Sequence, residues 1–467
     1  MTPHQSHHTM NSSLTRRQLL QLMTAAGFGV PFATRVVADE ADKSAPLAAK
    51  PENIVVPVTA RDRYPAVLVD GKVMQPARPL LVMHETDVLV VGGGPAGFAA
   101  AVAAARTGAK TTLVERYGYL GGLWTGGLVL LVYPTHAVEN GVRTKVVRGV
   151  GDELLGRIAR YPEAATNYAA GKPDPTTDPE VTKVVMDEMV AEAGVKMFFH
   201  CWVADVIMDG EAVRGVVLES KAGRQAILAK VVVDASGDGD VFAAAGAEHE
   251  QRLHAVGLVH RLGNVDRADQ EKLQAAGFKN LGAVEPLPSV KWVNLRGPST
   301  DGLDISELSR LEVEHRRSIW QRLEKIRKTA GGEKLFLLQT APQLGVRITR
   351  LLASTHKLTA AEARSGKRPA DTIAIGGTYG AGITKPGFAI PYGTLVPKKL
   401  DNLIAAGRCL DAETPMVEDM RLIATCLLTG HAAGAAAGLA AQDKCRPRDL
   451  DVPKLRQLLV KQGAYLG

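Results

Sequence analysis

The chain has 467 residues, enough for more than one domain, and its 46% hydrophobic and 22% charged content is that of an ordinary globular protein. Its formal net charge is +7, but Lys and Arg form no block of the kind that binds nucleic acid or lipid. Aromatic residues make up only 5%, which argues against stacking platforms for single-stranded nucleic acid. None of the four cysteines (Cys201, Cys409, Cys426, Cys445) belongs to a C-x-x-C pair. We therefore predict no metal site and no nucleic-acid partner.

Residues 1–38 have the pattern of an export signal. Residues 15–20 (TRRQLL) resemble the twin-arginine motif, residues 19–33 are moderately apolar, and compact residues precede Asp39. The resemblance implies passage through the twin-arginine translocase and a periplasmic or otherwise exported product. The alternative is a basic amphipathic helix that stays attached. No uninterrupted apolar run of about 18 residues follows, so we predict no membrane span in the mature chain.

Residues 39–84 are predicted to form an N-terminal extension. Pro and charged residues are frequent at first, and residues 64–74 are strand-like. Asp70-Gly71 within that stretch is typical of a two-residue β-hairpin turn. We predict a short hairpin here and assign it no site residue.

A dinucleotide-binding pattern begins after a short apolar strand at residues 87–91. Gly92, Gly94 and Gly97 follow with the spacing G-x-G-x-x-G, which permits a tight turn, a close approach to a pyrophosphate and close helix packing. An alanine-rich helix and a second strand lead to Glu115, where a carboxylate can bind the ribose hydroxyls of an adenosine. This order predicts a dinucleotide site rather than an ordinary glycine turn, and Glu115 disfavours a 2′-phosphate.

The segment after this acid is similar to FAD enzymes. Residues 116–127 read RYGYLGGLWTGG and include Gly121 and Gly122. This run resembles the FAD-dependent enzymes of the glutathione-reductase-like group, and most closely a bacterial family called simply FAD-dependent oxidoreductases. Residues 230–240 (KVVVDASGDGD) and 401–408 (DNLIAAGR) resemble two further segments of that family. The resemblance implies FAD as the cofactor.

The same resemblance implies cofactor-binding residues that are spread over several segments. A helix predicted over residues 421–441 contributes small residues that permit close packing, and its N-terminus can face a phosphate or the pyrimidine side of the flavin. The predicted cofactor-binding residues are Gly92, Gly94, Pro95, Ala96, Gly97, Glu115, Arg116, Gly121, Gly122, Val203, Ser236, Gly237, Gly407, Arg408, Arg421 and Gly430.

The predicted fold is therefore α/β. A discontinuous Rossmann-like FAD-binding domain, with a parallel sheet, helices and a β-hairpin or meander, is expected from residues 85–250 and 386–445. Residues 251–385 between these pieces, called the insert below, are expected to form an α+β substrate or cap domain. Residues 446–467 would form a C-terminal tail.

Residues 340–352 of the insert resemble a family segment that carries arginine close to the flavin. That resemblance implies Arg347 as the residue that binds an anionic or carbonyl-bearing substrate, because guanidinium is a fixed bidentate donor. Arg350 is the second candidate. For an isolated arginine the alternative is a surface or interdomain salt bridge.

Proton transfer needs a group that can change its protonation state near the flavin. His260 and Tyr392 are, with Arg347, the predicted catalytic residues, and His254 and His136 are further candidates for proton transfer. Tyr392 lies in an Ile-Pro-Tyr segment that should line the flavin ring. A structural role remains the alternative for each histidine.

The sequence shows no second convincing dinucleotide pattern, so we predict no dedicated NAD(P)H domain. Electrons would leave through oxygen, a quinone or a separate redox carrier. The predicted function is an exported FAD-dependent oxidoreductase that oxidises a small organic substrate by hydride transfer to the flavin. The alternatives are a reductase of an activated double bond, similar to fumarate reductase flavoproteins, and a flavin-binding module that has lost catalysis.

Overall fold

The structure is a computed structural model that describes residues 65–166, 174–279, 281–378 and 386–467. The predicted export signal lies outside these residues, as does most of the predicted extension. The chain divides into two compact units, one up to Arg78 and one from Pro79 onward. In the first unit, β1 (Val67–Val69) and β2 (Lys72–Met74) pair antiparallel around Asp70-Gly71, which confirms the predicted hairpin turn.

The second unit contains helices and strands that alternate along most of the chain. Its strands are β3 (Val82–Val91), β4 (Thr111–Val114), β5 (His136–Glu139), β6 (Val142–Lys145), β7 (Lys196–Phe198), β8 (Trp202–Asp209), β9 (Ala212–Ser220), β10 (Gly223–Asp234), β11 (His249–Gln251), β12 (His254–Gly263), β13 (Ala283–Val284), β14 (Lys291–Leu295), β15 (Ser299–Thr300), β16 (Phe336–Thr340), β17 (Gly345–Val346), β18 (Arg350–Leu352), β19 (Thr372–Gly376), β20 (Phe388–Pro391) and β21 (Leu403–Ala405). Its α-helices are α1 (Pro95–Ala105), α2 (Val150–Ile158), α3 (Pro179–Glu192), α4 (Asp240–Ala244), α5 (Gln270–Ala275), α6 (Ile305–Arg327), α7 (Ala360–Arg364), α8 (Thr414–Met420), α9 (Ile423–Asp443) and α10 (Val452–Lys461).

The main sheet has the strand order β7-β4-β3-β10-β9-β8, and β21 also pairs with β10. β3, β4, β7, β10 and β21 run parallel, whereas β8 and β9 form an antiparallel meander. The alternation at residues 226–228 predicts a hairpin strand and the apolar run at 230–234 a second strand, but in the structure both belong to one continuous strand, β10. One edge of β10 pairs with β3, while its other edge passes from β9 to β21. The carboxyl ends of β3, β4, β10 and β21 therefore meet at one edge of the sheet, where α/β proteins bind ligands.

Helices α1 and α9 run parallel on the sheet, and glycines of α9 contact the backbone of α1. A Cβ built at Gly430 would lie 2.1 Å from the Ala96 carbonyl oxygen, and one at Gly434 would lie 2.0 Å from that of Ala100. Only glycine permits this close packing of α9 on α1. By length and composition α9 could cross a membrane, but 94% of its apolar stretch is buried inside the protein. It serves here as a core helix.

The insert carries a second sheet, built around β12. This strand pairs antiparallel with β14, β15, β16 and β17. Helix α6 begins at the N-cap Asp304, whose carboxylate accepts hydrogen bonds from the Ser306 and Glu307 amides. Its buried residues (Leu311, His315, Ile319, Leu323 and Ile326) recur every three or four positions, as an amphipathic helix requires. The fold is thus a Rossmann-like α/β architecture with an α+β insert, as predicted.

Candidate functional site

A cleft of about 450 Å³ lies at the carboxyl ends of the parallel strands, within the usual size range of ligand pockets. One wall is formed by the loop after β3, the acid after β4 and the loops after β10 and β21. The opposite wall comes from the insert, at the start of α6 and at residues 342–346. The cleft therefore joins the dinucleotide-binding pattern to the segment expected to hold the substrate.

The three predicted glycines have different surroundings. Gly92 has φ +97°, and a Cβ there would lie 2.5 Å from the Ala235 carbonyl oxygen, so the tight turn requires glycine. A Cβ at Gly97 would lie 1.7 Å from the Gly92 carbonyl oxygen, because α1 packs directly on its own loop. Gly94 lines the cleft, and no described protein atom lies within 4 Å of the position of its Cβ. Its open side is where a ligand can approach the backbone.

The N-terminus of α1 faces this open space. Gly94 is its N-cap and supplies no side-chain hydrogen bond, so the first amides have no side-chain cap. Pro95 and Ala96 line the cleft at the same place. An uncapped helix N-terminus beside a glycine loop suits a phosphate group.

Glu115 lies at the end of β4 with its carboxylate held by two backbone amides. Gly93 N donates to Oε2 at 2.6 Å and Tyr117 N donates to Oε1 at 2.9 Å. A carboxylate has about four acceptor positions, so two remain for a ligand. Burial raises the pKa of Glu115 above its ordinary value. The residue lines the cleft and fits the diol of a ribose.

Arg116 lies between two aromatic rings beside this acid. Its guanidinium carbon is 5.0 Å from the ring centroid of Tyr117 and 4.9 Å from that of Trp202. All three residues line the cleft. Val203 lies in a small adjoining cavity instead, together with Glu115. The sequence pointed to Arg116 but gave no signal for the two rings that hold it.

The loop after β10 is shaped by Asp234, which is fully buried. Its carboxylate accepts hydrogen bonds from the backbone amides of Ser236, Val241 and Phe242 and from the Ser236 hydroxyl. Burial raises the pKa of Asp234 despite these bonds. The loop it holds presents Ser236 and Gly237 to the cleft.

Two cations line the cleft at its other end, and each has an acidic partner. Arg408 follows β21 and forms a bidentate pair with Asp238, with Nη1–Oδ1 and Nη2–Oδ2 distances of 2.8 and 2.9 Å. Arg421 precedes α9, and its Nε donates to Glu418 Oε2 at 2.8 Å. Gly407, with φ +89°, lies beside Arg408 in the cleft wall.

The structure brings together most of the predicted cofactor-binding residues. Gly97, Gly121 and Gly430 do not line the cleft but shape the backbone around it, since Gly121 N donates to the Gly93 carbonyl at 2.8 Å. Those that line the cleft are Gly92, Gly94, Pro95, Ala96, Glu115, Arg116, Gly122, Ser236, Gly237, Gly407, Arg408 and Arg421.

The three catalytic candidates lie outside the residues that line the cleft. Arg347 donates to the Ala255 carbonyl at 2.8 Å and to Asn294 Oδ1 at 3.1 Å. The Tyr392 hydroxyl donates to the Pro447 carbonyl at 2.8 Å, and burial raises its pKa. His260 is buried on β12, where desolvation lowers its pKa to about 4. The sequence indicated that these residues lie in segments close to the flavin. It could not show which groups their side chains contact.

The other candidates also have partners in the described structure. Arg350 donates to the Asp238 carbonyl at 3.1 Å and pairs with Asp240 at 3.2 Å. The His136 ring is 2.9 Å from the Thr135 hydroxyl. His254 Nε2 lies 2.7 Å from Glu418 Oε1. None of these three lines the cleft, although the acidic partners Asp238 and Asp240 do.

The sequence predicted that the insert forms the substrate side of the cleft, but it named none of the side chains that line this wall. Gln343 donates its backbone amide to the Gly126 carbonyl at 3.0 Å, and its side-chain oxygen is buried without a hydrogen-bond partner among the described residues. Its neighbours in this wall are mainly apolar. The apolar ones are Leu303, Ile305, Leu308, Pro342, Leu344 and Val346, and the polar ones are Ser309 and Glu312. Residues 342–346 belong to the family-like segment 340–352, but that resemblance singled out Arg347 and Arg350, and no motif marks the residues at the start of α6.

A family model described as FAD dependent oxidoreductase matches residues 87–257 and 263–459, well over half of the chain. The chain belongs to this family. FAD is its cofactor, and the protein is an FAD-dependent oxidoreductase with a Rossmann-like FAD-binding fold. The glycine loop, the uncapped α1 N-terminus and the two free acceptor positions on Glu115 fit the adenosine diphosphate half of that cofactor.

Individual relatives match over shorter stretches. Thiamine thiazole synthase from Methanococcus vannielii is 32% identical over 163 residues, which is 33% of this chain and 56% of that protein. Thiamine thiazole synthase from Pyrococcus horikoshii is 31% identical over 172 residues, 35% of this chain and 61% of that protein. The chain thus spans little more than half the length of these relatives. A geranylgeranyl bacteriochlorophyll reductase-like protein from Thermoplasma acidophilum is similar in structure, at 15% identity and a TM-score of 0.45, over 81% of this chain and 83% of that one.

Proposed function

We propose that this FAD-dependent oxidoreductase is exported and that it oxidises a small organic substrate by hydride transfer to the flavin. The observation that carries the proposal is the single cleft that joins the dinucleotide loop to the insert wall. Cofactor and substrate space are continuous there, as a hydride transfer at short range requires. Export is supported by the N-terminal sequence pattern alone.

The order of strands in the main sheet supports placing the two halves of the cofactor at the two ends of the cleft. Glu115 follows β4, on one side of β3, whereas Gly407 and Arg408 follow β21, beyond β10 on the other side. Glu115 would bind the ribose and α1 the diphosphate, so the flavin half belongs with Arg408 and Arg421. FAD, when bound, supplies the hydride acceptor, and the protein supplies orientation and electrostatics.

The insert wall favours an uncharged substrate. Most of its residues are apolar, and its polar residues are Ser309, the carboxylate Glu312 and the buried Gln343. Arg347 directs its guanidinium to Ala255 and Asn294 instead. Arg408 and Arg421 are already paired with acids. We therefore replace the expectation of an anionic substrate by that of an apolar molecule with one donor group for the Gln343 amide. Burying a carboxylate against such a wall would be costly.

Electrons would then pass from the reduced flavin to oxygen, a quinone or a separate redox carrier. This step remains a proposal that rests on the sequence, which shows no second dinucleotide pattern. Reduction of an activated double bond would use the same cleft in the opposite direction. The experiment below separates the two directions.

The first test is the absorbance spectrum of the purified protein before and after acid precipitation. Flavin in the supernatant establishes non-covalent FAD, and flavin in the pellet a covalent link. Anaerobic addition of uncharged alcohols, each paired with the carboxylate of equal chain length, should bleach the oxidised flavin with the alcohol and not with the carboxylate. Gln343→Leu should reduce this preference. Faster bleaching by carboxylates would refute the substrate class, and oxidation of reduced enzyme by an enoate under anaerobic conditions would favour the reductase.

Export has a separate test. Arg16→Lys/Arg17→Lys should leave the protein in the cytoplasm of a host that exports the wild type through the twin-arginine route. The control is a double change of two arginines outside the signal, Arg316→Lys/Arg317→Lys. Equal export of all three proteins would contradict the proposal.

A further inference from the structure

A hydrogen-bonded chain links the insert to the cleft. His254 lies at the start of β12, and its Nε2 is 2.7 Å from Glu418 Oε1. The other oxygen of Glu418 accepts from Arg421, with Nε at 2.8 Å and Nη2 also in contact. Of the three residues, Arg421 lines the cleft. Because a carboxylate only accepts hydrogen bonds, the histidine must carry its proton on Nε2.

The contacts of Glu418 favour its ionised form. The hydrogen bond from His254 is the largest of the causes that lower its pKa to about 2, and Arg421 adds to the effect. An arginine and a glutamate three residues apart often pair on helix surfaces, and such a pair contributes little to the stability of the protein. Here the histidine comes from a distant strand and binds the second oxygen, and the His254 and Arg421 side chains are only 16% and 19% exposed. The carboxylate is thus fixed from two sides.

The position of Arg421 along the cofactor follows from helix packing. Gly430 of α9 lies against Ala96 at the start of α1, and α9 begins at Ile423, seven residues earlier. At about 1.5 Å per residue, α9 extends about 10 Å past the N-terminus of α1. Ile423 and Cys426 on this overhang line the cleft. Arg421 therefore lies beyond the diphosphate position, at the end of the cleft away from Glu115.

We propose that His254 is a positioning residue that holds Arg421, through Glu418, against the flavin half of the cofactor and so favours the reduced flavin. The inference rests on the proposed arrangement of FAD in the cleft. A reduced flavin carries more negative charge than an oxidised one, so a cation fixed beside it raises the reduction potential. An arginine side chain has many rotamers and is effective only if its guanidinium is held in one place.

The test compares five single variants of the FAD-loaded protein, and the double variant His254→Leu/Arg421→Gln, with the wild type by spectroelectrochemical titration. His254→Leu removes the hydrogen bond, His254→Asn is too short to reach Glu418, and His254→Gln can still donate from the place of Nε2. Arg421→Gln removes the cation itself. His356→Leu is the control, since the half-buried His356 also lies beside a glutamate, with Nε2 3.2 Å from Glu362 Oε1, but does not line the cleft.

The wild type should bind reduced FAD more tightly, relative to oxidised FAD, than His254→Leu and His254→Asn do. We expect this ratio of affinities to fall about tenfold in both variants, which corresponds to a two-electron reduction potential lower by about 30 mV. Arg421→Gln should lower it at least as far, and His254→Leu should add nothing in that background. His254→Gln should retain most of the wild-type potential, and His356→Leu all of it.

Three results would overturn the proposal. The first is an unchanged reduction potential in His254→Leu, and the second is an equal change of the potential on adding His254→Leu to the wild type and to Arg421→Gln. The third is a reduction potential in His254→Gln that is lowered as far as in His254→Leu. The last would mean that the charge of the ring acts, and not its hydrogen bond. If His254→Leu fails to fold, His254→Asn and His254→Gln decide. A wild-type protein that binds no FAD would refute the proposed cofactor arrangement before any variant is made, so the two failures are distinct.

Discussion

Gly94→Ala separates the cofactor site from the packing that surrounds it. Gly94 has φ −65° and ψ −176°, an extended conformation that alanine adopts freely, and no described atom lies within 4 Å of the new methyl group. The methyl group would point into the cleft, where the diphosphate is expected to approach the N-terminus of α1. Gly97→Ala is the matched comparison, since its methyl carbon would lie 1.7 Å from the Gly92 carbonyl oxygen.

The expected magnitudes differ for the two variants. At Gly94, alanine is a poorer N-cap than glycine by about 0.5–1 kcal/mol, and the lower entropy of the unfolded chain offsets this by about 0.4–1 kcal/mol. Stability should hardly change. Displacing the phosphate would cost one charge-assisted hydrogen bond, about 1.5–3 kcal/mol, or about 10- to 100-fold in the Kd of FAD. At Gly97 the new methyl group would collide with the backbone of the glycine loop. Overpacking of this kind destabilises a folded protein by about 1–3 kcal/mol or more.

The assay is a fluorescence titration of apo-protein with FAD, beside thermal unfolding of the same apo-protein. Gly94→Ala should weaken binding and leave the apo-protein Tm within about 2 °C of the wild type. Gly97→Ala should lower the apo-protein Tm. Unaltered FAD affinity in Gly94→Ala, or a loss of Tm equal to that of Gly97→Ala, would refute the assignment of this loop to the cofactor.

Three further predictions concern single side chains. Glu115→Gln should raise the Kd of FAD about tenfold at pH 7, because a carboxylate accepts stronger hydrogen bonds than an amide. Since burial raises the pKa of Glu115, wild-type affinity should fall with decreasing pH sooner than for an ordinary glutamate, and Glu115→Gln should lack this fall in the same titration. Arg261→Met should cost about 3–5 kcal/mol in urea unfolding because it leaves the buried carboxylate of Glu285 unpaired, and Arg261→Met/Glu285→Leu should recover most of the loss. Tyr392→Phe should cost about 1 kcal/mol for the lost bond to Pro447 without slowing flavin reduction, and a much slower reduction would restore the catalytic role.

The sequence predicted the structure well where it depends on residues that are close together in the chain. The strand, glycine loop, helix and acid from Asp87 to Glu115 are local features whose geometry follows from short-range sterics, and the structure places them in that order. Asp178 before Pro179 predicts a helix start, and the Asp178 carboxylate caps α3 by accepting from the next amides. The limits of the elements could be predicted only approximately, since β10 joins two segments that the pattern separated.

The α/β class, the FAD-binding pattern and most of the residues that line the cleft could be predicted from the sequence, because the pattern depends on spacing within about 30 residues. Where the long side chains end depends on the tertiary fold. Arg347 and Tyr392 lie in segments similar to the family, yet their polar atoms bind carbonyl groups outside the cleft. His254 and Glu418 are 164 positions apart, and no local pattern could pair them. Contacts of this kind arise when the insert folds over the sheet, and the sequence carries no short-range signal for them.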